Sequence, residues 1–109
     1  MVNRKIIKSI RNYLSVLTEN GIPVSYGVLF GSYVKGRQHE WSDIDLLVVS
    51  PLYDKRRTLK QMSKLWRIAA HTDSRIEPIP VGEKQYKNDD SSVIIEIARR
   101  EGKIIPLAK

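Results

Sequence analysis

The sequence predicts an α/β protein of the α+β type, in which a small mixed sheet of three to four strands carries flanking helices. Two observations lead to this prediction. Apolar residues recur at spacings of three and four in three segments, and short β-branched or apolar runs lie between those segments. The resulting order is helix, strand, strand, helix, strand, helix. Residues 1–109 are therefore expected to form a single domain.

The N-terminal segment is expected to form a helix that ends near Gly21. Its apolar face consists of Ile6, Ile7, Ile10, Tyr13, Leu14 and Leu17. Gly21 supplies the stop, because glycine tolerates the left-handed conformation just beyond a helix end. Pro23 then precedes a strand over residues 24–30, which ends at Gly31.

The second strand and a second long helix follow a polar stretch over residues 32–42. Residues 43–50 form the predicted strand, which Pro51 ends because proline has no N–H for the ladder. Asp54 is the predicted N-cap of the helix. The apolar stripe predicted to face the core is Leu59, Met62, Leu65, Trp66, Ala69 and Ala70.

The last third of the chain predicts one more strand, one helix and a short final strand. Residues 75–81 form the strand, and Pro78 and Pro80 place it at a sheet edge or end it early. A turn over residues 88–91 precedes a helix that ends at Gly102, and residues 103–107 add the final strand.

Composition and charge narrow the class of protein. The formal net charge is +7, and thirteen of the 19 Lys and Arg residues follow residue 54, which favours a polyanionic partner such as a nucleotide, RNA, DNA or an acidic protein. The absence of cysteine excludes a disulfide scaffold, a Cys-ligated zinc site and a thiol nucleophile. No apolar run approaches the ~20 residues of a membrane span, so we expect a cytoplasmic protein without membrane contact.

Two aspartates at the start of the second strand indicate a metal site. Asp43 and Asp45 are two positions apart, so they point to the same face, ~7 Å apart along the strand. Their repulsion gives a strand no structural benefit, whereas Mg²⁺ takes hard oxygen ligands and often uses one or two carboxylates together with substrate phosphates. The alternative is an ordinary solvent-facing pair.

The segment between the two strands adds a predicted phosphate-binding turn. Gly31 allows a close backbone approach, Ser32 can add a hydroxyl donor, Lys35 can add charge, and Gly36 lets the chain turn back. The alternative is a glycine-containing turn without a ligand. A phosphate cradle beside two carboxylates suits metal-assisted transfer from a nucleoside triphosphate. The sequence contains neither a P-loop nor a dinucleotide fingerprint.

Together these residues resemble the signature of a known family. Gly31-Ser32, Gly36 and Ser42-Asp43-Ile44-Asp45 are similar, in type and spacing, to the motif of the DNA polymerase beta-like nucleotidyltransferases, above all to their minimal nucleotidyltransferase members. The resemblance covers about residues 23–81. It implies a mixed sheet with helices against one side.

The resemblance also implies roles for individual residues. The implied nucleotide-binding positions are Gly31, Ser32, Lys35, Gly36 and Ser42. The implied catalytic and metal-binding positions are Asp43, Asp45 and Glu77, which would hold two Mg²⁺ ions. Glu77 stands where aspartate is commoner in the family, and Pro78 follows it. Asp73 is the rival third acid, but its place before the strand favours a cap or a surface position.

The implied activity is transfer of a nucleoside monophosphate from a triphosphate, ATP first, to an acceptor hydroxyl. The alternative is an antitoxin subunit that binds a small helical HEPN-type toxin. A homo-oligomer and RNA are further candidate partners. His39 and His71 are expected on the surface, while Tyr33 and Trp41 either stack on a base or pack over the motif loop.

Overall fold

The computed structural model describes residues 3–36 and 42–107, which contain six helices and four strands. In chain order these are α1 (Arg4–Glu19), β1 (Tyr26–Phe30), α2 (Ser32–Lys35), β2 (Ile44–Ser50), α3 (Leu52–Lys55), α4 (Leu59–Thr72), β3 (Ile76–Gly82), α5 (Glu83–Asn88), α6 (Val93–Glu101) and β4 (Lys103–Pro106). No helix in these two ranges is long and apolar enough to cross a membrane.

The four strands form one mixed sheet in the order β3-β2-β1-β4, which confirms the predicted fold class. Strand β1 runs antiparallel to both β2 and β4, whereas β2 and β3 are parallel. Phe30 at the end of β1 lies opposite Asp45 near the start of β2, and Asp45 in turn lies opposite Glu77 near the start of β3. The predicted site residues therefore gather at one end of the sheet.

Apolar clusters cover both faces of the sheet, so the expectation of helices on one side is wrong. Alternate residues of β2 point to opposite faces, and both sets are buried. Leu46 and Val48 pack with residues of α1 and α4, whereas Leu47 and Val49 pack with residues of α5 and α6. An apolar run without polar alternation demands this burial on both faces.

Helix α1 and the final elements follow the sequence prediction. The buried side of α1 consists of Ile6, Ile10, Tyr13, Leu14 and Leu17. Gly21 follows the helix with φ of 90°. Strand β3 pairs with β2 and lies at the sheet edge, where proline in the ladder is tolerated. Gly102 caps α6, and β4 pairs with β1 as a short additional strand.

The predicted cap of the second long helix is wrong. Thr58 caps α4: its hydroxyl accepts from the Gln61 N–H at 3.1 Å, and the Gln61 side chain accepts from the Thr58 N–H at 2.9 Å. This is a capping box, and it places the helix start after Asp54. The Asp54 carboxylate instead accepts from the backbone N–H groups of Lys84 at 3.0 Å and Gln85 at 3.2 Å in α5.

The predicted apolar stripe of α4 is only partly buried. Leu65 and Ala69 are buried, but Leu59, Met62 and Trp66 are exposed. The buried side is narrow because α4 lies against α1 and β3 and contacts them with one edge of the helix. The apolar side chains at the other edge, Leu59, Met62 and Trp66, therefore remain exposed.

Candidate active site

The turn between β1 and α2 has a backbone conformation that only glycine adopts readily. Gly31 has φ of 83° and ψ of −148°, a region essentially closed to other residues. A Cβ built on Gly31 would overlap a carboxylate oxygen of Asp45. Both features hold the backbone of the turn against the β2 carboxylate, whereas the close approach that the sequence predicted at Gly31 was to a phosphate.

Helix α2 begins directly after this glycine. It is a single turn, in which the Gly31 carbonyl accepts from the N–H groups of Val34 at 3.1 Å and Lys35 at 3.2 Å. The N–H groups that open a helix have no intrahelical partner and are available to a ligand. Gly36 ends α2 in the left-handed conformation, with φ of 71°. Its N–H donates to the Ser32 carbonyl.

Lys35 and Ser42, two implied nucleotide-binding residues, have protein partners. The Lys35 ammonium lies 3.3 Å from the Glu101 carboxylate at the end of α6. Both side chains are more than a third exposed, so this ion pair is weak and can give way to another anion. Ser42 is buried, and its carbonyl accepts from the Tyr33 hydroxyl at 3.4 Å.

The carboxyl groups of Asp43, Asp45 and Glu77 gather beside the turn. Asp45 and Glu77 are direct neighbours on adjacent parallel strands, so they share a face of the sheet. Asp43 precedes β2 and hydrogen-bonds to the Glu77 side chain. A hydrogen bond between two carboxyl groups requires a proton on one of them, so this contact shows how closely like charges are crowded.

The electrostatics of the three acids reflect this crowding. The hydrogen bond to Asp43, then burial, then the charges of Asp43 and Asp45 raise the pKa of Glu77 to about 6. Burial, followed by the charge of Asp43, raises the pKa of Asp45. Such shifts disfavour the anions, and a cation placed between the carboxylates would reverse them.

The rival acid, Asp73, is held in a different network. Its carboxylate accepts from the Arg75 guanidinium at 2.7 Å and from the Ser9 hydroxyl at 2.7 Å. The hydrogen bonds from Arg75, followed by that from Ser9, hold the pKa of Asp73 down at about 2. Asp73 therefore joins α1 to the start of β3, a link beyond the cap or surface position that the sequence favoured.

Tyr33, for which the sequence left base stacking and packing over the motif loop both open, belongs to the same network. Tyr33 of α2 is buried, with its hydroxyl 3.5 Å from the Arg75 guanidinium, so it packs beneath the motif and does not offer a base a free ring. Arg75, which the sequence did not single out, thus contacts both Asp73 and the motif helix. Its place two residues before Glu77 was the only available signal.

The donor set suits a hard cation, although no closed metal site is preformed. Within residues 3–36 and 42–107, no three acidic, His or Cys side chains already stand in metal-binding geometry. The three carboxyl groups offer only oxygen ligands, which are the ligands that Mg²⁺ prefers. His71 is exposed, as expected, whereas His39 and Trp41 lie outside the described residues.

Comparisons with known proteins identify the family and the fold. A family model described as a nucleotidyltransferase domain matches residues 7–103. The fold is similar to a crystal structure named as a nucleotidyltransferase from Sulfolobus solfataricus, with 14% identity, a TM-score of 0.63, and coverage of 92% of this chain and 78% of that one. A comparison with curated proteins finds no match.

Two further similar structures are toxin–antitoxin complexes. One is a toxin–antitoxin with AMP-PNP, with 25% identity, a TM-score of 0.62, and coverage of 91% of this chain and 74% of that one. The other is a mutant of the toxin–antitoxin MntA–HpeT, with 22% identity, a TM-score of 0.59 and the same coverage of both chains.

Proposed function

Since this chain belongs to the nucleotidyltransferase domain family, we propose that it moves a nucleoside monophosphate from a nucleoside triphosphate to an acceptor hydroxyl. ATP is the donor we propose first. The main support for this proposal is that Asp43, Asp45 and Glu77 lie together beside the glycine turn. A phosphate-binding backbone next to three carboxylates is the arrangement that metal-assisted phosphoryl chemistry requires.

Asp43, Asp45 and Glu77 would hold two Mg²⁺ ions. The fit rests on their oxygen-only donor set and on the raised pKa of Glu77, because carboxylates that repel one another gain most from a shared cation. When bound, the ions neutralise charge on the triphosphate and stabilise the attacking and leaving oxygens.

The residues of the chain supply binding and proton transfer. The backbone N–H groups at the start of α2 and the Ser32 hydroxyl bind the β- and γ-phosphates. The acceptor oxygen forms a bond to the α-phosphorus, while the bond from the α-phosphorus to the bridging oxygen breaks and pyrophosphate leaves. The hydroxyl proton passes to the Glu77 carboxylate, which lies beside Asp45 at the start of β3.

A second candidate function is that of an antitoxin that acts by forming a complex. The similarity to a toxin–antitoxin with AMP-PNP favours it, since that match covers 91% of this chain. The partner would be a small helical protein of the HEPN type. In the first candidate function the same partner would carry the acceptor hydroxyl.

Label transfer tests the proposal. The purified protein, Mg²⁺ and a cell extract are incubated with each of the four common triphosphates labelled at the α-phosphate, and labelled macromolecules are detected. We expect label with the wild type and with Asp73→Asn, the matched control outside the cluster, and none with Asp43→Asn or Asp45→Asn. A triphosphate labelled at the γ-phosphate should give no more label than the extract gives without the protein.

Two results would contradict the proposal. Transfer by Asp45→Asn at the wild-type rate would remove the metal role from the cluster. Absence of transfer from all four triphosphates, together with a stable complex with a partner protein, would favour the antitoxin role.

A further inference from the structure

Helix α4 carries a row of apolar side chains that the fold does not use. Leu59 is 80% exposed, Met62 39% and Trp66 48%. Spacings of three and four place them in one line along the helix, to one side of the buried pair Leu65 and Ala69. Large apolar side chains aligned in solvent on one element are typical of an interaction site.

A basic row lies farther round the helix, separated from the apolar row by Ser63. Lys60, Lys64 and Arg67 form this row, and together with Leu59 and Ser63 they line a shallow cleft of about 450 Å³. Lys64 donates to the Asn20 carbonyl at 2.6 Å, which ties this row to the end of α1. Within the described chain, Lys60 and Arg67 have no acidic side chain at ion-pair distance.

Leu59 lines this cleft and Trp66 lies one turn from Ser63 on the same side, so we call the combined surface the α4 face: Leu59 and Trp66 with Lys60, Lys64 and Arg67. The Thr58–Gln61 capping box fixes the start of the helix, so the face is held in place without a partner. The other end of α4 is Thr72, and the short connection through Asp73 leads into β3 and Glu77. The α4 face thus extends toward the end of the sheet where the carboxylates gather.

We propose that the α4 face docks an acidic protein whose contact surface has an apolar centre. Acidic residues would pair with the basic row, while the apolar centre would cover Leu59 and Trp66. A second copy of this chain is disfavoured, because each copy carries a formal net charge of +7 and both would bring basic side chains to the contact. A nucleic acid would satisfy the cations but would leave Leu59 in water.

This inference rests on the proposed function in one respect: the docked protein is the one that carries the acceptor hydroxyl or is held in the complex. The surface itself is defined by exposure and charge and does not depend on the carboxylates. The two proposals can therefore fail separately.

The test uses a labelled synthetic helical peptide of about three heptads, built from Leu and Glu, with fluorescence anisotropy as the readout. We expect Leu59→Ser/Trp66→Ser and Lys60→Glu/Arg67→Glu each to weaken peptide binding by about tenfold or more. The matched controls are Val93→Ser/Ile104→Ser, two exposed apolar residues elsewhere, and Lys84→Glu/Lys87→Glu on α5. Both controls should bind as the wild type does.

Other results would overturn the proposal. If the apolar double variant binds the peptide as tightly as the wild type, the contact is only electrostatic. If an oligouridine binds more tightly than the peptide and is lost only in Lys60→Glu/Arg67→Glu, the face is a nucleic-acid surface. If the wild type is a dimer by sedimentation and Leu59→Ser/Trp66→Ser is a monomer, the occupant is a second copy.

Stabilisation by Mg²⁺ and ATP separates the two proposals. All four variants should keep the rise in melting temperature that Mg²⁺ and ATP produce in the wild type, which also shows that they fold. If that rise is absent in the wild type while the peptide results hold, the transferase function fails and the docking surface stands. If peptide binding is equal in all variants while Mg²⁺ and ATP raise the melting temperature of the wild type, the docking surface fails and the transferase function stands.

Discussion

Gly31 lies so close to Asp45 that a Cβ at residue 31 would overlap the Asp45 carboxylate. The contact joins the end of β1 to the start of β2, and the same glycine has a positive φ of 83°. Backbone and carboxylate are therefore held together before any ligand arrives. A phosphate bound to the turn would be placed directly beside the Asp45 side chain.

Gly31→Ala should be more damaging than Gly36→Ala, although both glycines have positive φ. Alanine at residue 36 meets open space, so we expect only the left-handed penalty of roughly 1–2 kcal/mol. Alanine at residue 31 adds the overlap with Asp45 to a strained conformation that costs ~1–3 kcal/mol by itself. Urea unfolding measures both losses, and equal losses would show that the turn adapts.

The raised pKa of Glu77 predicts a pH-dependent stability in the absence of metal. A carboxyl whose pKa is higher in the folded state than in the unfolded state binds its proton more tightly when folded. The folded state therefore loses stability as the pH rises from the unfolded value of ~4.3 through about 6. The glutamine side chain of Glu77→Gln cannot ionise. The unfolding free energy of this variant should therefore rise relative to that of the wild type between about pH 4 and pH 7.

Urea unfolding at several pH values in EDTA checks this prediction. Glu96→Gln, at an exposed position of α6, is the matched control and should follow the wild-type profile. If the difference in unfolding free energy between Glu77→Gln and the wild type stays constant across the pH range, Glu77 does not share a proton with Asp43.

Asp73→Asn should affect stability and spare transfer. Hydrogen bonds from Arg75 and Ser9 stabilise the Asp73 carboxylate, so we expect a loss of about 1–2 kcal/mol at pH 7. Because the pKa of Asp73 is lowered to about 2, this stability is present above ~4 and disappears as the pH falls through about 2. Loss of transfer in a folded Asp73→Asn variant would instead identify Asp73 as the third acid of the site.

Local patterns in the sequence predicted the frame of the fold and the position of the acids. The spacing of Asp43 and Asp45, and the prolines that mark β3 as an edge strand, are properties of short segments. Strand pairing then brings Glu77 beside Asp45, which the sequence alone could only suggest through a resemblance. The bonding of Tyr33 to Arg75 joins residues 42 positions apart, and no local pattern carries that information.

The wrong predictions of the N-cap and the buried face of α4 have physical causes. Asp54 is a good capping residue, but its carboxylate caps α5 across space instead of the helix that follows it in sequence. The Thr58–Gln61 capping box is a signal that the sequence does contain. Leu59 and Trp66 fit the spacing of apolar residues along α4, yet both are exposed. Spacing alone does not distinguish a residue that packs in the core from one on a binding surface.

If Asp43, Asp45 and Glu77 bind metal and nucleotide together, the melting temperature of Asp45→Asn must reveal it. Without ligands, this variant should melt slightly above the wild type, because a partly buried charge and its repulsion by Asp43 are removed. With Mg²⁺ and ATP at tenfold excess over the dissociation constant, the wild type should gain ~1.4 kcal/mol, or roughly 5 °C or more, while Asp45→Asn gains nothing. An equal rise in both proteins, or no rise in the wild type with any of the four common triphosphates, would show that the carboxylates do not bind metal and nucleotide together.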